Sequence, residues 1–185
     1  KSNSKWGSIF PIDNVVATVY NAEKSKPLYT EMEFDTNRKL RNYNIWFNSE
    51  PSGGVKVEKS TKQNRQKIFR AKISKNAQDL LSWFYYLRTL ELDVGKVFSF
   101  TIFSGNYSYT AKCKVEKIEP LETRLGNHSA YVISMKVTRD GSKKFTRSAT
   151  LWVDSSGTKV PLKAKTRTKL GSTEITLSSI AKKQL

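Results

Sequence analysis

Only one long stretch of this 185-residue chain repeats its apolar residues at helical spacing. In Asn76-Ala-Gln-Asp-Leu-Leu-Ser-Trp-Phe-Tyr-Tyr-Leu-Arg-Thr-Leu90, the residues Leu80, Trp83, Phe84, Leu87 and Leu90 form a single apolar stripe. The spacing predicts a helix over about 77–90, with Asn76 as N-cap and Asp79 adding negative charge to the first turn. Nearly everything else alternates with period two. The helix is therefore expected to pack against one face of an antiparallel sheet, with Trp83, Phe84, Leu87 and Leu90 buried there.

Before the helix the alternation gives about five strands. Val15 to Tyr20 and Leu28 to Asp35 read as a hairpin, with Leu28, Thr30, Met32 and Phe34 toward the core. In Leu40 to Asn48, Tyr43, Ile45 and Phe47 oppose Asn42, Asn44 and Trp46, and Pro51-Ser-Gly-Gly54 turns the chain back into Val55 to Val57. A basic connection, Lys59 to Gln66, precedes a short strand from Ile68 to Ile73. After the helix, Lys96 to Phe103 and a strand from Tyr107 flank Ser104-Gly-Asn106, a hairpin signal. Tyr107, Tyr109, Ala111, Cys113 and Val115 share one face, and Pro120 is expected to end that strand. Further strands are expected over Ala130–Thr138, Phe145–Val153, Thr158–Thr168 and Thr173–Ile180.

The pattern sets one β-rich domain over residues 13–180, a flexible N-terminal segment over 1–12, and a frayed tail over 181–185. The fold class is mainly β: a single strongly curved antiparallel sheet or open barrel of about ten strands, with the helix on its concave face.

Composition narrows the chemistry. One cysteine, Cys113, and one histidine, His128, exclude an intrachain disulfide and any multi-His or Cys/His metal cluster. Cys113 falls on the apolar parity of its strand and reads as a buried, inert thiol, and His128 follows the turn-like Gly126-Asn127. There is no nucleophile elbow, no phosphate-binding glycine loop and no His-Glu-x-x-His, so no catalytic residue, metal or cofactor is assigned. The carboxylate pairs Glu31/Glu33 and Glu119/Glu122 suit acid/base work in principle but read more simply as solvated. No apolar run reaches the length of a membrane span.

Charge is the positive signal. The 33 Lys and Arg against 16 Asp and Glu give a net +17, which suits an anionic partner. Lys159, Lys163, Lys165, Arg167 and Lys169 share one parity, opposite Val160, Leu162 and Ala164, and predict a basic row on one sheet face. Such a row serves either anion binding or protection of a sheet against aggregation. Basic residues also lie among aromatics around Tyr43, Trp46 and Phe69-Arg70. With no recognised nucleic-acid-binding motif, nucleic acid is the minor reading.

The stretch Asp79-Leu-Leu-Ser-Trp-Phe-Tyr-Tyr-Leu-Arg-Thr-Leu90, followed by Val94-Gly95-Lys96, resembles the helix and glycine turn of a bacterial family, domain of unknown function 3108. Thr123-Arg-Leu-Gly-Asn-His-Ser-Ala-Tyr-Val132, then Ala149-Thr-Leu-Trp-Val-Asp154 with Val160-Pro-Leu162, is similar to the family's later segments in order and spacing. The resemblance covers residues 78–180, with Asn127-His128 standing where the family often has Thr-Phe. It implies an exported, mostly β protein of the Gram-negative envelope, its leader removed, with no catalytic residues to carry over.

Together these readings lead to a non-enzymatic periplasmic or envelope protein that binds an anionic or amphipathic component: lipid, lipopolysaccharide or glycan. The expected ligand-binding residues are Lys159, Lys163, Lys165, Arg167 and Lys169, with Trp83, Tyr86 and Arg88 lining an apolar cleft by the helix. The alternatives are an envelope hydrolase acting on glycan or peptide, marked by converging carboxylates in a groove, and a scaffold that docks another envelope protein on a flat surface. The sequence leaves the oligomeric state open.

Overall fold

The computed structural model describes residues 12–36, 39–47, 53–61, 63, 65–142, 145–168 and 171–179. The expected N-terminal segment lies outside them except for Ile12, and so does the expected tail. The described chain is mainly β, as the alternation requires: eleven antiparallel strands and one helix, with the strands distributed over two sheets. It divides into two compact units, Lys1–Tyr86 with Thr101–Ser108, and Leu87–Phe100 with Tyr109–Leu185.

The first sheet is a meander of β1 (Ile12–Asn21), β2 (Lys26–Thr36), β3 (Lys39–Phe47), β4 (Val55–Thr61) and β5 (Lys67–Ala71), each paired with the next. Alternation does the sorting. Met32, Tyr43, Ile45, Phe47, Val55 and Val57 are buried and form a core with Phe103, whose ring meets Phe47 edge-on at 6.4 Å. Trp46 stays on the half-exposed face, as its parity demands. Leu28 does not join the core. A register shift at Val19/Tyr20 pairs Tyr20 with Pro27, so Pro27 is buried and Leu28 is turned out at 42% exposure.

The helix α1 runs Ser82–Thr89, shorter than its apolar stripe. The preceding turn of sequence is committed elsewhere, because Gln78 donates its backbone N–H to the Thr101 carbonyl (2.8 Å) and accepts from Phe103 N–H (2.7 Å). The cap is accordingly Asp79 and not Asn76, which is exposed. Asp79 Oδ1 accepts from the backbone N–H of Leu81 (2.7 Å) and Ser82 (2.8 Å), and Ser82 Oγ accepts from Asp79 N–H (2.8 Å). This reciprocal pairing satisfies donors that a helix start leaves unpaired. Trp83 and Leu87 are buried, while Phe84 and Leu90 are half-buried.

The second sheet holds β6 (Val97–Ser104), β7 (Tyr107–Thr123), β8 (Gly126–Arg139), β9 (Thr146–Asp154), β10 (Pro161–Thr168) and β11 (Gly171–Thr176), each paired with the next. Gly105-Asn106 makes the tight turn between β6 and β7, with Gly105 at φ 63° and its Cα face against the Tyr43 ring. The strand β7 continues through Pro120 to Thr123, pairing Pro120 with Ser129. A bulge between Val115 and Lys117 shifts its register, so the proline punctuates no end. Ala111, Cys113, Val115, Ile133, Met135, Leu151 and Val153 are buried on one face. The lysines and hydroxyl residues between them occupy the other.

Candidate anion-binding face

Register decides which polar residues of the second sheet meet. Lys114 pairs with Ser134, Ser134 with Thr150, and Thr150 with Lys165, giving one row across β7, β8, β9 and β10. The next row pairs Lys112 with Lys136 and Lys136 with Ser148. On the other side, Lys117 pairs with Val132, Val132 with Trp152, and Trp152 with Lys163. Cross-strand partners share a face, so six lysines stand above a floor of hydroxyls, one indole and the buried Val132.

Three carboxylates answer three of those lysines. Glu116 lies 2.8 Å from Lys114 and accepts from Ser134 Oγ at 2.7 Å. Glu119 lies 2.5 Å from Lys117 and accepts from the Trp152 indole N–H at 2.7 Å. Glu174 lies 2.9 Å from Lys163, whose amino group also sits 5.1 Å from the Trp152 ring centroid. Each carboxyl is held below its ordinary range, first by the hydrogen bond from its lysine. Among the described residues, Lys112, Lys136 and Lys165 have no such partner within 4 Å.

Those three lysines converge. With Lys114, Ser134, Ser148 and Thr150 they line an open groove of about 620 Å³, completed by Val97 and by Cys113, Met135 and Ala149. Its lining contains no carboxylate. Ammonium groups around hydroxyl donors make a site for a polyanion; Lys114 and Ser134 already donate to Glu116, which leaves Lys112, Lys136 and Lys165 with the hydroxyls of Ser148 and Thr150.

Of the residues expected from the sequence, Lys165 lines the groove and Lys163 stands one row away. Arg167 lies on β10 opposite Ser172, and Lys169 lies outside the described residues. Lys159 does not extend the row. It precedes β10 with φ 48°, and its amino group donates to the Leu90 carbonyl. Trp83 is packed in the core, stacked on Phe84 at 3.7 Å; Tyr86 is half-buried; and the Arg88 Nε–H donates to the Thr158 carbonyl at 3.0 Å. None of the three lines the groove.

The residues that sequence reasoning missed are Lys112, Lys114 and Lys136 with Ser134, Ser148 and Thr150. Their alternation was visible, but only the register of four strands brings them together.

Two further candidates for chemistry, Cys113 and His128, are accounted for. Burial pushes the Cys113 thiol up to about 12, so it is not a nucleophile at neutral pH. His128 lies within β8, past the Arg124-Leu125 turn, half-buried with Nδ1 3.8 Å from Asp154 Oδ1. Burial opposes ionisation of Asp154, but hydrogen bonds from Ser156 and Thr158 outweigh it and hold the carboxyl below its ordinary range. Among the described residues no group of three or more His, Cys, Asp or Glu could hold a metal ion, and no helix is long and apolar enough to cross a membrane.

The fold and this face define the chain as a two-sheet antiparallel β protein with a basic, hydroxyl-floored groove on one sheet. It belongs to the family described as protein of unknown function, DUF3108, whose model matches residues 1–178 and so takes in the N-terminal half as well. Among curated proteins and among solved structures, nothing matches the chain.

Proposed function

We propose that this is a non-enzymatic, exported protein of the cell envelope that binds an anionic envelope component through the outward face of its second sheet. The ligand class is phosphate-bearing lipid, lipopolysaccharide or anionic glycan. The observation that carries this reading is the direct cross-strand pairing of Lys112 with Lys136, beside Lys165, in a groove without carboxylates. Like charges placed directly opposite one another are destabilising in a sheet, and an anion seated between them reverses the sign of that interaction. The hydroxyls of Ser148 and Thr150 then add donors that do not repel one another, while that of Ser134 is held by Glu116.

The test replaces Lys112, Lys136 and Lys165 together with glutamine. Binding is measured to vesicles of phosphatidylcholine with and without phosphatidylglycerol, and to purified lipopolysaccharide. A basic residue near an anionic surface contributes about 1 kcal/mol, so three substitutions should weaken binding by roughly two orders of magnitude. The thermal midpoint should not fall, because all three side chains are exposed. Unchanged affinity for every anionic probe would overturn the reading.

A further inference from the structure

We propose that two copies of this chain join edge to edge through β1, antiparallel about a two-fold axis at Ala17, to make one ten-stranded sheet. The inference is independent of the anion-binding groove, which lies on other strands.

It starts from how the sheet edges are protected. Four strands end a sheet: β1 and β5 in the first, β6 and β11 in the second. Natural edges are blunted by shortness, charge, proline or a covering segment. The strand β5 has five residues and carries exposed Lys67 and Arg70, and β11 has six and carries Glu174. The strand β6 has eight, and Gln78 bridges to it at Ile102. By contrast β1 runs ten residues, Ile-Asp-Asn-Val-Val-Ala-Thr-Val-Tyr-Asn, with no lysine, arginine, proline or glycine and with Asp13, near its start, as its one charged residue. Among the described residues, β2 is its sole hydrogen-bonded neighbour.

Its exposed face is also symmetric. Val15 and Val19 are 58% and 55% exposed and lie two positions either side of Ala17, which shares their face. In an antiparallel pair with the two-fold at Ala17, Ala17 meets its own copy and Val15 meets Val19 twice over. Along the same register Val16 meets Thr18 and Asp13 meets Asn21, so no like charges are opposed. Moving the axis to Val16 sets Val15 against Ala17, and moving it to Thr18 sets Ala17 against Val19. Only the Ala17 register covers both valines with each other. The interface is isologous, so it closes at a dimer and leaves no repeating edge.

The test reads both mass and register. Light scattering on the full chain at tens of micromolar should give twice the monomer mass. The Val15→Lys, Val19→Lys double variant should give the monomer mass with an unchanged circular dichroism spectrum, its dissociation constant raised at least a hundredfold. A monomeric wild type, or a double variant that stays dimeric, overturns the proposal. Single cysteines fix the axis, with diamide as the two-electron oxidant that takes up the two thiol hydrogens. Ala17→Cys should form a covalent dimer, because paired Cα atoms in an antiparallel ladder lie within disulfide reach. Val15→Cys or Val19→Cys alone should not, while the two mixed should. The wild-type thiol, Cys113, is buried and serves as the silent control. Cross-linking of Val15→Cys with itself as fast as Ala17→Cys would also overturn it.

Discussion

Asp79 is the residue whose loss should be felt most in the first unit. It is fully buried, and its carboxyl holds two elements: Oδ1 caps α1 through Leu81 and Ser82, and Oδ2 accepts from Thr30 Oγ1 of β2 at 2.6 Å. Truncation to alanine removes the cap, which costs about 1 kcal/mol. It also strands the Thr30 hydroxyl, itself fully buried, and an unsatisfied buried donor costs about 1–3 kcal/mol. Asp79→Ala should therefore destabilise by roughly 2–4 kcal/mol, lowering the thermal midpoint by about 4–16 °C. Asp79→Asn should cost under about 1 kcal/mol, because asparagine caps as well as aspartate and the Thr30 hydroxyl can rotate to accept from the amide. Thr30→Val leaves Oδ2 without a donor and should cost about 1–3 kcal/mol alone. Combined with Asp79→Ala it should cost far less than the sum, since the stranded hydroxyl is gone. Urea unfolding of the four proteins measures the cycle. Additivity within about 0.5 kcal/mol would refute a shared interaction, and an Asp79→Ala cost below about 1 kcal/mol would refute the cap as well.

Two further outcomes follow from the second unit. At pH 8 a thiol pushed up to about 12 is ionised in roughly one molecule in ten thousand, so Cys113 should react with iodoacetamide at least a hundredfold slower folded than in denaturant; equal rates would show an exposed thiol. Glu116 is held below its ordinary value by hydrogen bonds from Lys114 and then Ser134, so its contribution to stability is complete above about pH 4.3 and fades as pH falls through the lowered folded value. Its protonation also frees Lys114 and Ser134 toward the groove. Glu116→Gln should thus bind dextran sulfate more tightly than wild type at pH 7 and less tightly dependent on pH below 5, and equal affinity at pH 7 would detach Glu116 from the groove.

The antiparallel β class, the five strands before the helix and the single helix were legible in period alone. Tyr43, Ile45 and Phe47 against Asn42, Asn44 and Trp46 needed only alternation, and Gly105-Asn106 needed only turn chemistry. What period could not give is where local pattern loses to a longer-range partner. The stripe from Leu80 to Leu90 promised a longer helix, but the Gln78 backbone pairs with β6, which no local count reveals. Leu28 has core parity in its own strand, and only the shifted register against β1 turns it outward. The basic row was half legible for the same reason. Lys163 and Lys165 alternate within one strand, whereas the groove is a transverse feature whose members come from β7, β8, β9 and β10, with Lys112 and Lys136 24 positions apart in sequence (136 − 112).

That transverse arrangement bears on whether the charge does more than keep the protein soluble. Two ammonium groups about 6 Å apart repel by roughly 0.7 kcal/mol even at the dielectric constant of water. Physiological salt, with a Debye length of about 8 Å, does not screen that away. Solubility asks for net charge but is indifferent to where it sits, and a chain of net +17 meets that need without opposing Lys112 to Lys136. The first sheet also opposes like charges, Lys56 to Arg70 and Lys59 to Lys67, but there Lys56 lies 2.7 Å from Glu58 and 4.8 Å from the Trp46 ring centroid. On the second sheet the carboxylates Glu116, Glu119 and Glu174 form ion pairs with Lys114, Lys117 and Lys163, and Glu174, opposite Lys165 in register, also acts on that lysine through space, while Lys112 and Lys136 line a groove without carboxylates. The positive charge left over is concentrated beside the hydroxyls of Ser148 and Thr150. A ligand with several negative charges removes the repulsion and gains those hydroxyl donors in one step, whereas a neutral ligand gains the hydroxyls and leaves the repulsion in place.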